Sequence, residues 1–406
     1  MCLPRRRTGG TRMLQHQRTW AEVDLDAIGR NLAEVRRHAG PGVDLMLVLK
    51  ADAYGHGAVP VAWHLANDGI ACLGVGDSTE ALELRSAGVT APILVLGAVV
   101  AGELQDVIRG RIGITVHSAD RVRMLRRVAR RTGASVPIHV KVDTGMGRLG
   151  CHPDRVMGIA REIRRSEGLA LEGVATHLAA AGPDGGPSAN RQVQLFRKVI
   201  AALAEEGFCP RWRHAYASGA VLSSLPGTFN MARPGLAVYG VDPHGRADTH
   251  LVPALSWRTQ LVFLKDHRRG TRIGYQGTWT APRLSRIATL PVGYNDGYRF
   301  AFSNRAEVLV RGCRCPVVGR VSMDYACVDV TDVPGASIGD VATLLGRDGE
   351  GAIRVEELAA WADTIPYEIL CGLGRRVKRR YVRASGPALV AAQASKQAAG
   401  GAAGSP

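Results

Sequence analysis

Between about residues 45 and 236 the chain alternates short apolar runs with longer amphipathic stretches. The runs Leu45–Lys50, Ala71–Val75, Ile93–Leu96, Ile114–Val116, Ile138–Val142, Leu171–Thr176, Trp212–Tyr216 and Met231–Leu236 are short and rich in β-branched residues. Near-continuous apolar runs of this length suit strands buried on both faces of a parallel sheet. Asp26–His38, Ala58–Asn67, Ser78–Ala87, Ala119–Arg131, Asp154–Arg165 and Arg191–Glu206 instead space their apolar positions as helices do. Several open on a capping residue, such as Ser78 or Asp154. About eight βα units in this length predict an α/β fold with a (β/α)8 TIM barrel. A doubly wound open sheet would carry a glycine-rich fingerprint after its first strand, and none is visible.

From about Leu255 the pattern changes to short β runs broken by turn signals. They are Gln260–Lys265, Arg286–Leu290, Ala306–Val310, Cys315–Val318, Ala326–Val330 and Val341–Leu345, with one clear helix at Val355–Ala362. This predicts a separate, mostly-β C-terminal domain. The expected organisation is a basic tail over 1–18, a barrel over 19–253 that includes a strand-like opening at Thr19–Val23, a β-rich domain over 254–383, and a disordered Ala/Gly-rich tail over 384–406.

At 406 residues and 46% hydrophobic, the chain has an ordinary globular composition. Its formal charge of +16 raises the question of a nucleic-acid surface, and the location of the charge argues against one. Arginines before residue 20 and the basic run after Gly374 carry most of it with no acid among them, so the basic ends read as solvated termini. No apolar span approaches transmembrane length, and the arginine-rich start has no apolar core of a secretion signal, which points to the cytoplasm. The eight cysteines stand singly except Cys313 and Cys315, which lack a second cluster at zinc spacing, so neither a metal site nor a disulfide framework is expected.

The most informative stretch is LVLKADAYGHG, residues 47–57, where an apolar strand delivers Lys50 to its own carboxyl end. α/β enzymes keep their chemistry at that end, and an amine desolvated there has a lowered pKa and can condense with an aldehyde cofactor or act as a base. A lone lysine would more often cap a strand in solvent, but further motifs follow at other strand ends. KVDTGMGRLG (141–150) combines close-approach glycines with Arg148, whose planar fork suits a carboxylate or phenolate. THLAAAG (176–182) places His177 after a strand. HAYASGA (214–220) and NMARPGLAVYG (230–240) supply a serine and backbone N–H groups suited to a phosphate. The β-rich region adds RIGYQG (272–277), LPVGYNDGY (290–298), GRVSMDY (319–325) and TIPYE (364–368).

This ordered set, spread over roughly residues 20–383, resembles the alanine racemases, which depend on pyridoxal 5′-phosphate (PLP). The resemblance implies that Lys50 carries PLP and is one catalytic base, and that Tyr275 of the partner subunit is the other. His177 and Arg233 assist, with Arg233 facing the pyridine nitrogen. A guanidinium there stays protonated, so it discourages protonation of the ring and favours return of the proton to Cα over transamination. Ser218, Gly235, Leu236, Tyr54 and Tyr367 would hold the phosphate. Arg148 would touch cofactor and substrate carboxylate, and the family's counterpart of Lys141, often carbamylated, steadies that arginine. Tyr294 and Met323 would border the substrate site. The implied assembly is a homodimer with active sites at the interface, making D-alanine for peptidoglycan from a small amino-acid substrate.

Three departures stand out. Ala217 replaces a frequent asparagine, Ala180-Ala181-Gly182 stand where Ala-Asp is usual, and Gln276 occupies a frequent glycine position. The first two leave a racemase of serine or of a broader amino-acid set as the alternative reading within enzymes. From another class, a non-catalytic PLP-binding regulatory protein would need only the barrel.

Overall fold

The computed structural model describes residues 17–133, 135–182, 186–223, 229–245, 249–383 and 386–389. The opening strand β1 (Thr19–Asp24) is followed by β2 (Asp44–Val48), β3 (Cys72–Val75), β4 (Ile93–Val95), β5 (Gly113–Val116), β6 (Val136–Lys141), β7 (Leu169–Ala175), β8 (Trp212–Ala217) and β9 (Met231–Arg233). Strands β2 to β9 pair in parallel and close into a barrel, β9 returning to β2. All eight expected strands are present. The last is shorter than Met231–Leu236 because Pro234 brings no N–H to the ladder, and a 3-10 turn at Leu236–Tyr239 takes over. A short helix at Leu104–Arg109, too brief for its periodicity to stand out, fills the connection between β4 and β5.

The alternation of side chains explains the core. Leu45, Leu47 and Leu49 of the β2 segment pack outward among the helices, while Met46 joins Cys72, Leu94, Trp212 and Met231 in an inner layer of the barrel. Continuing by twos from Met46 reaches Val48 and then Lys50, so the barrel's inward face ends on the amine.

The second domain holds β10 (Leu255–Gln260), β11 (Phe263–His267), β12 (Arg272–Ile273), β13 (Trp279–Thr280), β14 (Ser285–Leu290), β15 (Glu307–Val310), β16 (Cys313–Pro316), β17 (Ala326–Asp329), β18 (Val341–Asp348), β19 (Gly351–Ile353), β20 (Lys378–Arg383) and β21 (Gly386–Leu389). Its main sheet runs β16-β15-β18-β10-β1-β20-β21. The opening strand, grouped with the barrel in the sequence reading, therefore lies in the second domain's sheet, antiparallel to β10 and parallel to β20. Of the segment 384–406 expected to be disordered, Gly386–Leu389 pairs with β20, and the rest lies outside the described residues, as do residues 1–16.

The basic run after Gly374 also differs from a solvated tail. Arg376 pairs with Asp296 and Asp324, and Arg380 reaches Glu22. Arg379 donates to the carbonyls of Gly55, Leu373, Gly374 and Val377. The Gly55 contact ties the second domain to the segment after Lys50. There, Ala51, Asp52, Ala53 and Tyr54 all have φ between 53° and 55°, a left-handed turn of non-glycine residues. Such conformations cost about 1–2 kcal/mol each, so the turn needs outside support. Glu80 Oε1 accepts from Ala51 N at 2.5 Å, and Asp52 Oδ1 accepts from Ala58 N at 2.7 Å. The two glycines permit close packing against the second domain. A Cβ on Gly55 would lie 2.2 Å from Leu370 O, and one on Gly57 1.9 Å from Tyr381 Oη.

Gly57→Ala should therefore lower stability by about 1–3 kcal/mol through overpacking and its left-handed φ. Combining it with Tyr381→Phe, which removes the nearest atom, should cost less than the two single changes added. Denaturant titration of the four proteins measures this, and strict additivity would show that the two residues do not oppose each other.

Candidate active site

Each barrel strand from β6 to β9, with β2, contributes a polar side chain to one end of the barrel. Lys50 follows β2 directly and is exposed at the mouth. Its Nζ lies 5.9 Å from the centre of the Tyr54 ring, and Gly76 leaves room beside its Cβ. Partial desolvation by the surrounding protein, then the Arg148 charge, lower its pKa below that of an ordinary lysine.

Strand β6 ends on Lys141, two residues beyond His139 and on the same inward face. The chain then turns back so that Asp143 N donates to Cys151 O and Cys151 N to Lys141 O, both at 2.9 Å. Within this loop Asp143 accepts from the backbone N–H groups of Gly145, Met146 and Gly147, which fixes the path leading to Arg148. Arg148 projects exposed over the mouth. Burial, then the charges of Arg233, Arg148 and Lys50, depress Lys141 to a pKa of about 7.

Arg233, at the end of β9, is only 5% exposed and is held by four acceptors. Its Nη2 donates to Thr176 O at 2.8 Å, Ala215 O at 3.0 Å and His177 Nδ1 at 3.2 Å, and its Nη1 to His214 Nδ1 at 2.9 Å. These bonds hold the guanidinium plane across β7, β8 and β9. Burial lowers the Arg233 pKa only to about 10, so it stays a cation near neutrality. Burial and the Arg233 charge push His177 down to about 3, so the imidazole facing the site is neutral. Behind them Thr144 and Thr176 share a 2.7 Å hydrogen bond, and Gln192 braces the strand end by accepting from Ala179 N. The departure after His177, Ala180-Ala181-Gly182, immediately precedes residues 183–185, which lie outside those described.

A cradle lies between β8 and the turn after β9. Ser218 Oγ accepts from Gly235 N at 2.9 Å and Ala237 N at 3.2 Å. Leu236 N opens the 3-10 turn, a position for which the turn itself provides no acceptor. Tyr54 crosses Gly235, where a Cβ would lie 2.4 Å from its hydroxyl, and packs at a tilt against Tyr239 and Tyr367, at 5.1 and 5.8 Å between ring centres. Ala217, at the asparagine position, ends β8 beside these groups and adds no polar atom.

Lys50, Tyr54, Lys141, Arg148, His177, Ser218, Arg233, Gly235, Leu236 and Tyr367 thus gather around one barrel mouth. Tyr275, Tyr294 and Met323 do not. They lie exposed on the second domain, at 71%, 45% and 53%. Tyr294 N donates to Ser322 O and Asn295 N to Met323 O, joining two of the three segments. The departure at Gln276 has a structural consequence: its φ of +59° is one that glycine adopts freely and glutamine does not. Arg272 compensates by donating to Gln276 O and Gly277 O.

The site suits an anionic cofactor on electrostatic grounds. The charges of Arg148 and Arg233 lower the pKa of both Lys50 and Lys141, and among the described residues none of the four cations makes an ion pair. The two nearest acids are occupied elsewhere, Glu80 by Ala51 N and Gly76 N and Asp143 by its own loop. A ligand carrying a phosphate and a phenolate would relieve that repulsion and meet the Ser218 hydroxyl and the Leu236 N–H of the cradle. Sequence reasoning missed His139 and His214 as site residues, although counting back two from Lys141 along β6 places His139 on the active face.

Comparison with known proteins agrees with this geometry. Residues 23–243 match the family description "Alanine racemase, N-terminal domain" and residues 254–381 "Alanine racemase, C-terminal domain". The alanine racemase of Symbiobacterium thermophilum is 44% identical over 365 residues, covering 89% of this chain and 97% of that one. That of Geobacter sulfurreducens is 40% identical over 373 residues, covering 90% and 98%. Among solved structures, alanine racemase from D-cycloserine-producing Streptomyces lavendulae superposes with a TM-score of 0.85 at 36% identity, covering 90% and 97%. The Bartonella henselae enzyme, solved with covalently bound pyridoxal phosphate, superposes at 0.80 with 29% identity, covering 90% and 99%. With both domain descriptions matched in order and relatives aligned over nearly their full lengths, the chain belongs to the alanine racemase family.

Proposed function

We propose that this chain interconverts L- and D-alanine with PLP held at Lys50, the observation that carries the reading being the unpaired cation cluster around a strand-end lysine. When bound, PLP withdraws electron density from the amino acid's Cα and so makes its proton removable. The protein supplies the rest. Ser218 and the backbone at Gly235 and Leu236 take the phosphate, with Tyr54 and Tyr367 beside it. Arg148 meets the substrate carboxylate and the cofactor's ring oxygen. Arg233, held rigid and charged by its four acceptors, faces the ring nitrogen.

Racemisation needs a proton taken from one face of Cα and returned on the other. Lys50, with its lowered pKa, is suited to one face. The second base is the partner subunit's Tyr275, since Tyr275 within one chain stands exposed away from the barrel mouth. Neutral His177, bonded to Arg233, is placed to pass hydrogen bonding on to that tyrosine. A homodimer with shared sites follows, with exposed Tyr275, Tyr294 and Met323 turned toward the partner's barrel. Tyr367 crowds the cofactor region and favours a side chain no larger than a methyl group. D-alanine so formed would serve peptidoglycan synthesis. No helix among the described residues is long and apolar enough to cross a membrane, which is compatible with a cytoplasmic enzyme.

Lys141 fits the same reading. An amine with a pKa of about 7 is largely uncharged above neutrality and able to capture carbon dioxide. The resulting carbamate would place an anion among three cations and pair with Arg148.

A chiral assay of the PLP-loaded protein against a panel of L-amino acids should give D-alanine as the dominant product. Lys50→Ala should abolish turnover and the visible absorbance of lysine-bound PLP. Tyr275→Phe should cut alanine racemisation by at least about 100-fold, as expected for loss of a general acid–base group, and wild-type rates in that variant would remove the two-base assignment. Intact-peptide mass spectrometry near pH 8 should find the mass of one carbon dioxide on Lys141, lost on acidification as the amine reclaims its proton below about 7.

A further inference from the structure

The interior of a (β/α)8 barrel is ordinarily filled by layers of apolar side chains. The layer of Met46, Cys72, Leu94, Trp212 and Met231 obeys that rule. Closer to the mouth the filling changes character. His139 and His214 lie there, each 1% exposed. His139 Nδ1 and His214 Nε2 are 2.8 Å apart, and His214 Nδ1 is 2.9 Å from Arg233 Nη1. At the far end His139 Nε2 faces the Glu172 carboxylate at 3.8 Å, and Glu172 is partly exposed. A polar column inside a barrel is costly unless every member is paired, and apolar residues would fill the space more cheaply. Room for it is made on purpose: a Cβ on Gly173 would lie 2.3 Å from His139 Nδ1.

We propose that His139 and Glu172 are positioning residues for Arg233, acting by locking His214 in the single tautomer able to accept from the guanidinium. The hydrogen-bond directions leave one arrangement. Arginine only donates, so His214 Nδ1 must be the acceptor and its proton must sit on Nε2. That proton points at His139 Nδ1, which must also accept, so the His139 proton sits on Nε2 and faces Glu172. Donation thus runs one way, from Arg233 to His214 to His139, whose remaining N–H is directed toward the Glu172 carboxylate 3.8 Å away. Burial lowers the pKa of both rings, which favours the neutral forms that this direction needs. Without His139, the buried Nε2–H of His214 has no acceptor. The other tautomer then becomes competitive, and it would set an imidazole N–H against the Arg233 N–H. The guanidinium would turn from the plane that the carbonyls of Thr176 and Ala215 define.

This inference rests on the reading that Arg233 faces the cofactor ring, and its test separates the two. In the cofactor-free protein, imidazole nitrogen NMR of histidine-labelled samples should show His214 neutral with an acceptor-type Nδ1 from about pH 5 to about pH 8, the range in which a free histidine titrates. The His214 signal is assigned by its loss in His214→Gln. His139→Leu should move that resonance toward the other tautomer, and Gly173→Ala, which only displaces the His139 ring, should move it the same way. His139→Gln, whose amide oxygen can accept from His214, should restore it. In the PLP-loaded protein, His139→Leu should lower kcat for alanine on the order of 10- to 100-fold with little change in KM, as small misplacements of catalytic groups do. The same variant should raise the ratio of pyruvate and pyridoxamine phosphate, the products of amino transfer from alanine to PLP, to D-alanine. His139→Gln should return both toward wild type. If His139→Leu loses thermal stability but keeps the wild-type product ratio and His214 resonance, the histidine is structural only and the inference is overturned. A wild-type protein that shows the predicted tautomer but does not racemise alanine would instead overturn the functional reading.

Discussion

Four cations converge on one barrel mouth without a carboxylate free to neutralise them. Lys50, Lys141, Arg148 and Arg233 come from, or just beyond, three strand ends, Lys141 and Arg148 sharing that of β6, and their charges make Lys50, Lys141 and His177 harder to protonate. In a compact fold this repulsion is a standing cost, so the rest of the structure is arranged to bear it. Glu80 and Asp143, the acids close enough to interfere, are tied to backbone N–H groups and shape loops instead. Arg233 keeps its charge despite burial because backbone carbonyls and two imidazoles occupy its donors. The field that results is suited to an anionic cofactor and holds Lys50 in a more reactive state.

The same arrangement explains why two domains are fastened where they are. The left-handed turn after Lys50 is unfavourable for its own residues and is held by contacts from Glu80 and the second domain. Arg379, Leu370 and Tyr381 all reach it, and Gly55 and Gly57 are the residues that let them approach. The sheet carrying Arg379 is completed by β1 from the other end of the chain. Lys50 is thereby linked mechanically to the domain that presents Tyr275.

Much of this was legible in the residues because barrel strands obey a simple rule. Apolar runs gave the strand positions, and the active groups stand at or beyond their carboxyl ends. What escaped reading depended on partners distant along the chain. Thr19–Asp24 looks like any short strand until its pairing with Lys378–Arg383 is known, more than 350 residues away. The basic run beyond Gly374 looks like a solvated tail until Asp296, Asp324, Glu22 and the Gly55 carbonyl are brought to it. His139 lay within an expected strand and His214 opened a quoted motif, yet a histidine within an apolar strand carries no mark of the tautomer its neighbours impose. Gln276 was visible as a departure, but only its positive φ shows why glycine suits that position.

The central claim is that a complete site draws Lys50 from one subunit and Tyr275 from the other. Mixing Lys50→Ala chains with Tyr275→Phe chains under conditions that exchange subunits tests it directly. Random pairing puts half the dimers in mixed form, and each mixed dimer has one intact site of two, so the mixture should recover about one quarter of wild-type alanine racemisation. Mixtures no more active than the separate variants would mean that both residues serve a site within one chain, contradicting the account.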